Sequence, residues 1–360
     1  MDLYEKMSIL GPGAQYDTCG PRDFGQTTNI PGVYHAQFNG HSCRLFKVLQ
    51  TNQCRNNCHY CAFRRDRDCS RTTASSDEVA SAFDSAFRRR LVDGLFLSSG
   101  IVNNADTTMT NLLDTVHILR QRYRYQGYVH LKIMPGSSPS IIREAVKVSQ
   151  RISLNIESPT ESDLSSLSPD KNLKDGFFHT LFEINKQIRQ VKFYGLRTPS
   201  LTTQFIVGAG RETDRDLVST TSLLYSQFGL KRVFYSSFRP VADTPLAYLP
   251  PSPLIRQNRL YQTDFLLRFY NFTPSDLSFD SLGNLLDSVD PKTAWANSHP
   301  EYYPVNLNRA TVDSLLRVPG LGPTSVQKII SLRQQHPIFS LTSLSHLRLQ
   351  VSKLMPYVCF

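Results

Sequence analysis

Phe46-Lys-Val-Leu-Gln-Thr-Asn-Gln-Cys54-Arg-Asn-Asn-Cys58-His-Tyr-Cys61 is the stretch of this 360-residue chain that decides its fold. A β-rich run, Phe46–Thr51, ends just short of three cysteines with CxxxCxxC spacing. The chain has seven cysteines, an odd number. Met1 to Gln15 shows no apolar core after a basic start, so no secretory signal is expected. The expected compartment is the reducing cytoplasm, where closely spaced cysteines read as metal ligands or catalytic groups before disulfides. Three thiolates on one short loop suit an iron–sulfur cluster, because iron in such clusters takes sulfur ligands. Four irons and three thiolates leave one iron open to a small chelating ligand. The competing reading is structural zinc with His59 or a distant residue as fourth ligand. Zinc sites usually join two close ligand pairs, and the sequence has no second CxxC or HxxxH pair. His59 lies between two of the cysteines, where closing the same tetrahedron would be strained. The remaining cysteines, Cys19, Cys43, Cys69 and Cys359, read as unligated, with a second cluster or a catalytic thiol as the alternative.

Outward from this stretch, further β-rich runs follow at Leu95–Ser99, Tyr128–Met134, Ile152–Glu157, Thr203–Val207 and Arg232–Phe238. Segments with helical apolar spacing separate them, such as Met109, Leu112, Leu113, Val116 and Leu119, or Leu217, Thr221, Leu224 and Phe228. Ser76 and Thr107 are candidate helix caps. Six β-then-α repeats imply an α/β fold with a parallel sheet and right-handed crossovers. Periodicity does not tell whether such a sheet closes, but either way the ligand site lies at the C-terminal strand ends. Residues 1–44 carry no clear periodicity and read as an N-terminal extension before a domain at 45–250. A proline-rich stretch and a helix from about Leu254 to Tyr270 place a helical extension and linker at 251–300. A compact helical tail occupies 301–360. Hydrophobic residues at 40% and charged residues at 19% fit a soluble globular chain, and no run approaches the roughly 18 apolar residues of a membrane span.

CxxxCx-aromatic-C after the first strand of a βα array resembles the signature of the radical S-adenosylmethionine (SAM) superfamily. That resemblance implies a partial (β/α)6 barrel and a [4Fe–4S] cluster on Cys54, Cys58 and Cys61, with Tyr60 as the aromatic member. It also implies SAM chelated through its methionine moiety to the open iron, with reductive cleavage giving a 5′-deoxyadenosyl radical. An electron donor of reductase or flavodoxin type follows from the same likeness. Ser98-Ser99-Gly100 stands where the superfamily commonly has a Gly-Gly-Glu-like segment against the methionine amino group, and here the Glu is missing. Asn155 and Glu157 match a strand end that presents polar groups to the ribose. Gln204-Phe-Ile-Val-Gly208 resembles the GxIxG segment beside adenine, with Gln204 replacing the first glycine. Lys132 and Arg239, near two further strand ends, would face the substrate or the SAM carboxylate.

Near the C-terminus, Asn308-Arg-Ala-Thr-Val-Asp-Ser-Leu-Leu-Arg-Val-Pro-Gly320-Leu-Gly322-Pro-Thr-Ser-Val-Gln-Lys-Ile-Ile resembles a helix-hairpin-helix. Val312, Leu315 and Leu316 are expected on the inner face of its first helix, and Val326, Ile329 and Ile330 on that of its second, with further helix from Ile338. The glycine turn presents backbone N–H groups beside a positive helix end, an anion site. The resemblance implies grip on nucleic-acid phosphates through Gly320, Gly322, Thr324 and Lys328; a protein-binding or structural hairpin is the alternative. The formal net charge of +10 has the sign a polyanion requires. So does the local set Arg309, Arg317, Lys328, Arg333, Arg348 and Lys353 against Glu301 and Asp313. Other basic clusters, Arg64, Arg65, Arg67 and Arg71; Arg88 to Arg90; Arg120, Arg122 and Arg124, read as solvated helix faces. The segments LFLSSG (95–100), HLKIMPG (130–136), TQFIVG (203–208), RLYQTD (259–264) and DPKTAWA (290–296) extend the likeness to a family assigned to DNA modification or repair. The expected activity is a radical SAM reaction on DNA, at a flipped-out or single-stranded nucleotide against which Tyr235 or Phe238 could stack. RNA modification is the second expectation, and a nucleic-acid-binding protein with a structural or redox-sensing cluster the third.

Overall fold

The register of the strands separates two faces of one sheet. The computed structural model describes residues 1–17, 30–38, 41–347, 349 and 351–360. Its strands β1 (Val33–Phe38), β2 (His41–Leu49), β3 (Gly94–Ser98), β4 (Tyr128–Lys132), β5 (Arg151–Ser153), β6 (Ser200–Val207) and β7 (Arg232–Ser237) pair in chain order. β2 to β7 are parallel throughout, and β1 is antiparallel to β2. One aligned row reads Val48, Leu97, Leu131, Ile152 and Leu201, all buried. The row beside it reads Lys47, Phe96, His130, Arg151 and Ser200. The first row is the helix-covered face. Helices α2 (Ser76–Arg88), α3 (Ala105–Gln121), α4 (Pro139–Val148) and α6 (His179–Phe193) pack on one another in series. Phe83 of α2 meets Phe46 with ring centroids 6.2 Å apart. Because same-handed crossovers between strands in sequential order put every helix on one side, the polar row becomes the concave interior of a half-barrel. The expected partial (β/α)6 barrel is therefore present, with β1 added at its edge.

Two compact units divide the described chain: Met1–Glu212 with Leu223–Ser252, and Thr213–Ser222 with Pro253–Phe360. Helix α7 (Asp214–Phe228) gives its first half to one and its second half to the other. The boundary expected near residue 300 falls inside the second unit. Its helices are α8 (Leu254–Phe269), α9 (Pro291–Ser298), α10 (Val312–Arg317), α11 (Pro323–Arg333) and α12 (Val351–Leu354), and its strands β8 (Val305–Asn306) and β9 (Val358–Cys359) pair in parallel. Leu315, Leu316, Val318, Val326, Ile329 and Leu354 form its core. Arg317 explains why the presumed linker belongs here. Its guanidinium lies 3.9 Å over Phe272 and 4.6 Å over Trp295, and pairs with Asp276 at 2.9 Å. A cation stacked on two rings and neutralised by a carboxylate ties α10 to the 272–295 segment.

Several local expectations change. Residues 1–44 hold helix α1 (Leu3–Gly13) and strand β1. Gly11, Pro12 and Gly13 interrupt the apolar spacing of that helix, so periodicity misses it. Helix α2 is capped by Ser75, whose hydroxyl accepts from Glu78 N–H, and not by Ser76. Helix α3 is capped by Asn104 and not by Thr107, which instead supplies the N–H that the cap accepts. Val312 is 41% exposed rather than inward, and the chain after Ile338 forms a 3₁₀ turn over Leu341–Leu347 in place of an α-helix.

Candidate metal centre and nucleic-acid interface

The cysteine loop leaves the C-terminal end of β2 and is held by its backbone. Arg71 donates from Nη1 to the carbonyls of Asn52 (2.8 Å) and Phe63 (2.9 Å), and from Nη2 to those of Arg64 (2.6 Å) and Arg67 (3.0 Å). Grouped by sequence with solvated basic residues, Arg71 is in the structure an internal staple. The end of β3 supports the other side. Gly100 donates its N–H to the Thr51 carbonyl at 2.8 Å, and Arg55 N–H donates to Ile101 at 2.7 Å. A Cβ on Gly100 would lie 2.2 Å from the Gln53 carbonyl oxygen, so only glycine lets β3 and the cysteine loop approach this closely.

A third segment, the end of α5 (Glu161–Leu167) with the residues after it, runs beside the cysteines. His59 N–H donates to Leu167 (2.8 Å), the His59 ring shares Nδ1 with the Ser166 carbonyl (2.8 Å), and Asn57 N–H donates to the Asp170 carboxylate (2.6 Å). His59 is thus anchored to the backbone of residues 166–167 through its own N–H and its Nδ1. Cys58 is buried and Cys54 and Cys61 are half-buried. Burial, with the nearby sulfurs of Cys58 and Cys54, pushes the Cys61 thiol up to about 12. Three thiols on one short loop supply the sulfur ligands that the irons of such a cluster take. Among the described residues no three His, Cys, Asp or Glu side chains converge as ligands of a single metal ion. The donor set fits a cluster held at three corners.

Beside the thiols is a group the sequence does not flag, Lys171, next to one that it does, Glu157. Lys171 Nζ is 3.8 Å from Glu157 Oε1, with side chains only 14% and 7% exposed. Burial works against the Lys171 ammonium, but Cys58, Glu157, Cys54 and Cys61 outweigh it and raise its pKa. Glu157 lies past the short β5 at φ +71°, a conformation costly for a non-glycine residue. Tyr60 belongs to an apolar cluster with Leu167, Ile206, Ala209 and Phe238. Burial, then Glu157, Cys58 and Cys61, raises its phenol well above the ordinary value. Tyr60, Glu157 and the triad are therefore brought together. A cleft of about 710 Å³ opens next to them, lined by Arg55, Asn56, Lys171, Asn172 and Phe177 among others.

Ser98, Lys132, Asn155 and Gln204 are also brought together, around an element read as featureless. Asp17 is 8% exposed. Its carboxylate accepts from Lys132 Nζ at 2.5 Å and from Asn155 Nδ2 at 3.4 Å, and Ser98 bonds to it as well. Gln204 Nε2 donates to the Tyr16 carbonyl at 3.1 Å. Burial raises the Asp17 pKa, but Lys132 and Lys47 outweigh it and hold the carboxyl below its ordinary value. Lys47 itself is fully buried, 4.5 Å over the Tyr34 ring. Burial pushes the buried His130 imidazole well below its ordinary value, helped by Arg151, Lys47 and Lys132. Ser98, Lys132, Asn155 and Gln204 are strand-end residues that the resemblance singles out, whereas Tyr16 and Asp17 carry no such signal. Ser99 bonds to the adjacent Gly100 carbonyl, Gly208 N–H bonds to Glu212, and Arg239 is exposed. Tyr235 stacks on Phe205 with centroids 6.3 Å apart, and Phe238 is buried in the Tyr60 cluster; both are core residues. Cys43 packs beside Leu45 and Phe96, and Cys19 lies outside the described residues.

In the C-terminal unit Gly320 takes φ +88° after α10, and Gly322 caps α11 without a side-chain hydrogen bond. The first amides of α11 have no intrahelical acceptor, and Thr324 and Lys328 are exposed beside them. The basic excess is smaller than a count of residues 301–360 gives. Arg317 is neutralised by Asp276 and Lys353 by Asp290 at 2.7 Å, while Arg333 is directed into the Leu307 and Ala310 carbonyls. The paired acids lie upstream of the counted window. Arg309 and Lys328 remain exposed, and Arg348 lies outside the described residues.

Residues 301–353 match the family described as the helix-hairpin-helix motif. The C-terminal unit contains a helix-hairpin-helix. Over 250 residues, 66% of this chain and 71% of the other, the sequence is 23% identical to 7,8-didemethyl-8-hydroxy-5-deazariboflavin synthase of Methanococcoides burtonii. Similar solved structures include the FeFe-hydrogenase maturase HydG from Carboxydothermus hydrogenoformans (TM-score 0.47, 17% identity, 61% of this chain and 50% of that one). A radical SAM methyltransferase from Sphaerobacter thermophilus is another (TM-score 0.46, 14% identity, 64% and 65%). This chain thus spans half the length of that maturase. No described helix is long and apolar enough to cross a membrane.

Proposed function

We propose that this protein is a radical SAM enzyme acting on nucleic acid, DNA in the first instance. Cys54, Cys58 and Cys61 would hold a [4Fe–4S] cluster, and the cluster with bound SAM would supply a 5′-deoxyadenosyl radical. The observation that carries this reading is the cysteine loop itself, pinned by Arg71, Gly100 and the 166–170 segment at the C-terminal mouth of a parallel half-barrel. Glu157 and Asn155, at the same mouth, are suited to accept and donate hydrogen bonds to ribose hydroxyls. Ser98 and Ser99 would serve the methionine amino group in place of the missing Glu. Tyr60 and its apolar cluster exclude water from one side of the thiols.

Nucleic acid is supported by the hairpin: free amides at the start of α11, with Thr324 and Lys328 beside them, suit phosphate contacts that position a polymer without reading its sequence. Anaerobically reconstituted protein given dithionite and SAM is expected to release 5′-deoxyadenosine; none, with the cluster intact, refutes the enzyme reading. Binding to DNA and RNA, measured by gel shift across a salt series, is expected to weaken steeply with salt. Tighter RNA binding would move the assignment to RNA. Binding untouched by a Gly320→Ala/Gly322→Ala double substitution would remove the hairpin from the argument.

A further inference from the structure

We propose that Lys171 and Glu157 form an opposed charge pair that sets the reduction potential of the metal centre, with Lys171 making it easier to reduce. The inference rests on the cluster assignment above and extends it to a residue outside the cysteine motif. Three hydrogen bonds, from Asn57, His59 and the His59 ring to the 166–170 segment, stitch that segment along the cysteine loop. Lys171 directly follows it, its N–H bonded to the Ser168 carbonyl at 3.0 Å. Its ammonium is carried inward to Glu157 at 3.8 Å and left 14% exposed. All three thiol sulfurs act on it electrostatically.

A cuboidal cluster on three thiolates is net anionic and becomes more so when it accepts an electron from a low-potential reductant; no bond is made or broken in that step. A fixed cation nearby in a poorly solvated site stabilises the reduced form, and a fixed carboxylate disfavours it. Glu157 also holds Lys171 in place, so the two residues have opposite direct effects on the cluster and a shared structural one. That difference in sign separates an electrostatic role from a merely structural one.

The test is a potentiometric titration followed by electron paramagnetic resonance, on full-length reconstituted protein without SAM. Lys171→Met is expected to cut the reduced-to-oxidised ratio about tenfold at the wild-type midpoint, equivalent to about 59 mV for one electron. Glu157→Gln is expected to shift the midpoint the other way, Lys171→Arg to leave it near wild type, and the Lys171→Met/Glu157→Gln double variant to fall between the single ones. A midpoint unmoved by Lys171→Met, or moved the same way by both single variants, overturns the proposal. If Lys171→Met binds no iron, Glu157→Gln decides alone: an upward shift supports the proposal and no shift overturns it. Absence of iron and sulfide from the wild type would instead refute the cluster assignment, a distinct outcome.

Discussion

Gly100→Ala is the most direct test of how the barrel holds the cysteine loop. The added Cβ would lie 2.2 Å from the Gln53 carbonyl oxygen, 2.9 Å from its carbon and 3.2 Å from the Cys54 Cβ. Two of these atoms are backbone and the third carries a ligand sulfur, so no rotamer change relieves the overlap. The loop must retreat by about 1 Å to restore ordinary contact, lengthening the Gly100-to-Thr51 hydrogen bond of 2.8 Å as it goes. Overpacking of this kind costs about 1–3 kcal/mol, which in a unit of this size lowers the melting temperature by about 2–4 °C for each kcal/mol. The larger effect is expected on metal: Cys54 moves relative to Cys58 and Cys61, and iron and sulfide content should fall well below that of the wild type. Gly195→Ala is the control. Its backbone is unfavourable for a side chain (φ +69°), but nothing lies within 4 Å of its added Cβ, so it should lose stability without losing iron. Wild-type iron content and melting temperature in Gly100→Ala would refute the packing argument.

Three further outcomes follow from the same contacts. Arg71→Lys cannot reach four carbonyls from one ammonium; the expected result is faster proteolysis between residues 52 and 71 and lower iron content. Asp17→Asn removes from a buried position the carboxylate that Lys132 pairs with, and should cost about 3–5 kcal/mol in urea unfolding. Because the folded state holds the Asp17 pKa below 3.8, the wild-type contribution is complete above that pH and fades as pH falls through the folded value, so the two proteins should converge in acid. Lys292, buried with its ammonium on the Leu321 carbonyl, is lowered by burial from 10.5 to about 7. Between those values the unfolded chain holds a proton the folded one has shed, so stability of the C-terminal unit should rise from pH 7 toward pH 10, by at most about 1.4 kcal/mol per pH unit. Fluorescence of Trp295, the chain's single tryptophan, follows that unit; a slope that persists in Lys292→Met would contradict the assignment.

The half-barrel and the hairpin were legible in the sequence for a physical reason. Strands buried on one face under helices must be apolar at every second residue, and helices on such a sheet repeat their apolar residues every three or four. Both patterns are local, as is the CxxxCxxC spacing that places three thiols on one loop. The hairpin is local too, since Gly320 and Gly322 make their turn with near neighbours. What escaped was whatever depends on partners distant in sequence. Asp17 meets Lys132 across 115 residues, and Asn57 meets Asp170 across 113. Nothing in the neighbourhood of Asp17, Lys171 or Arg71 distinguishes it from a solvated charge, and the basic count of the tail misled because its counter-charges, Asp276 and Asp290, lie upstream. Sequence by itself determined the six β-then-α repeats, the ligand loop and the turn of the hairpin. Only the tertiary structure decided which charges are buried and what each one faces, because pairing and desolvation belong to the place where segments meet and not to any one of them.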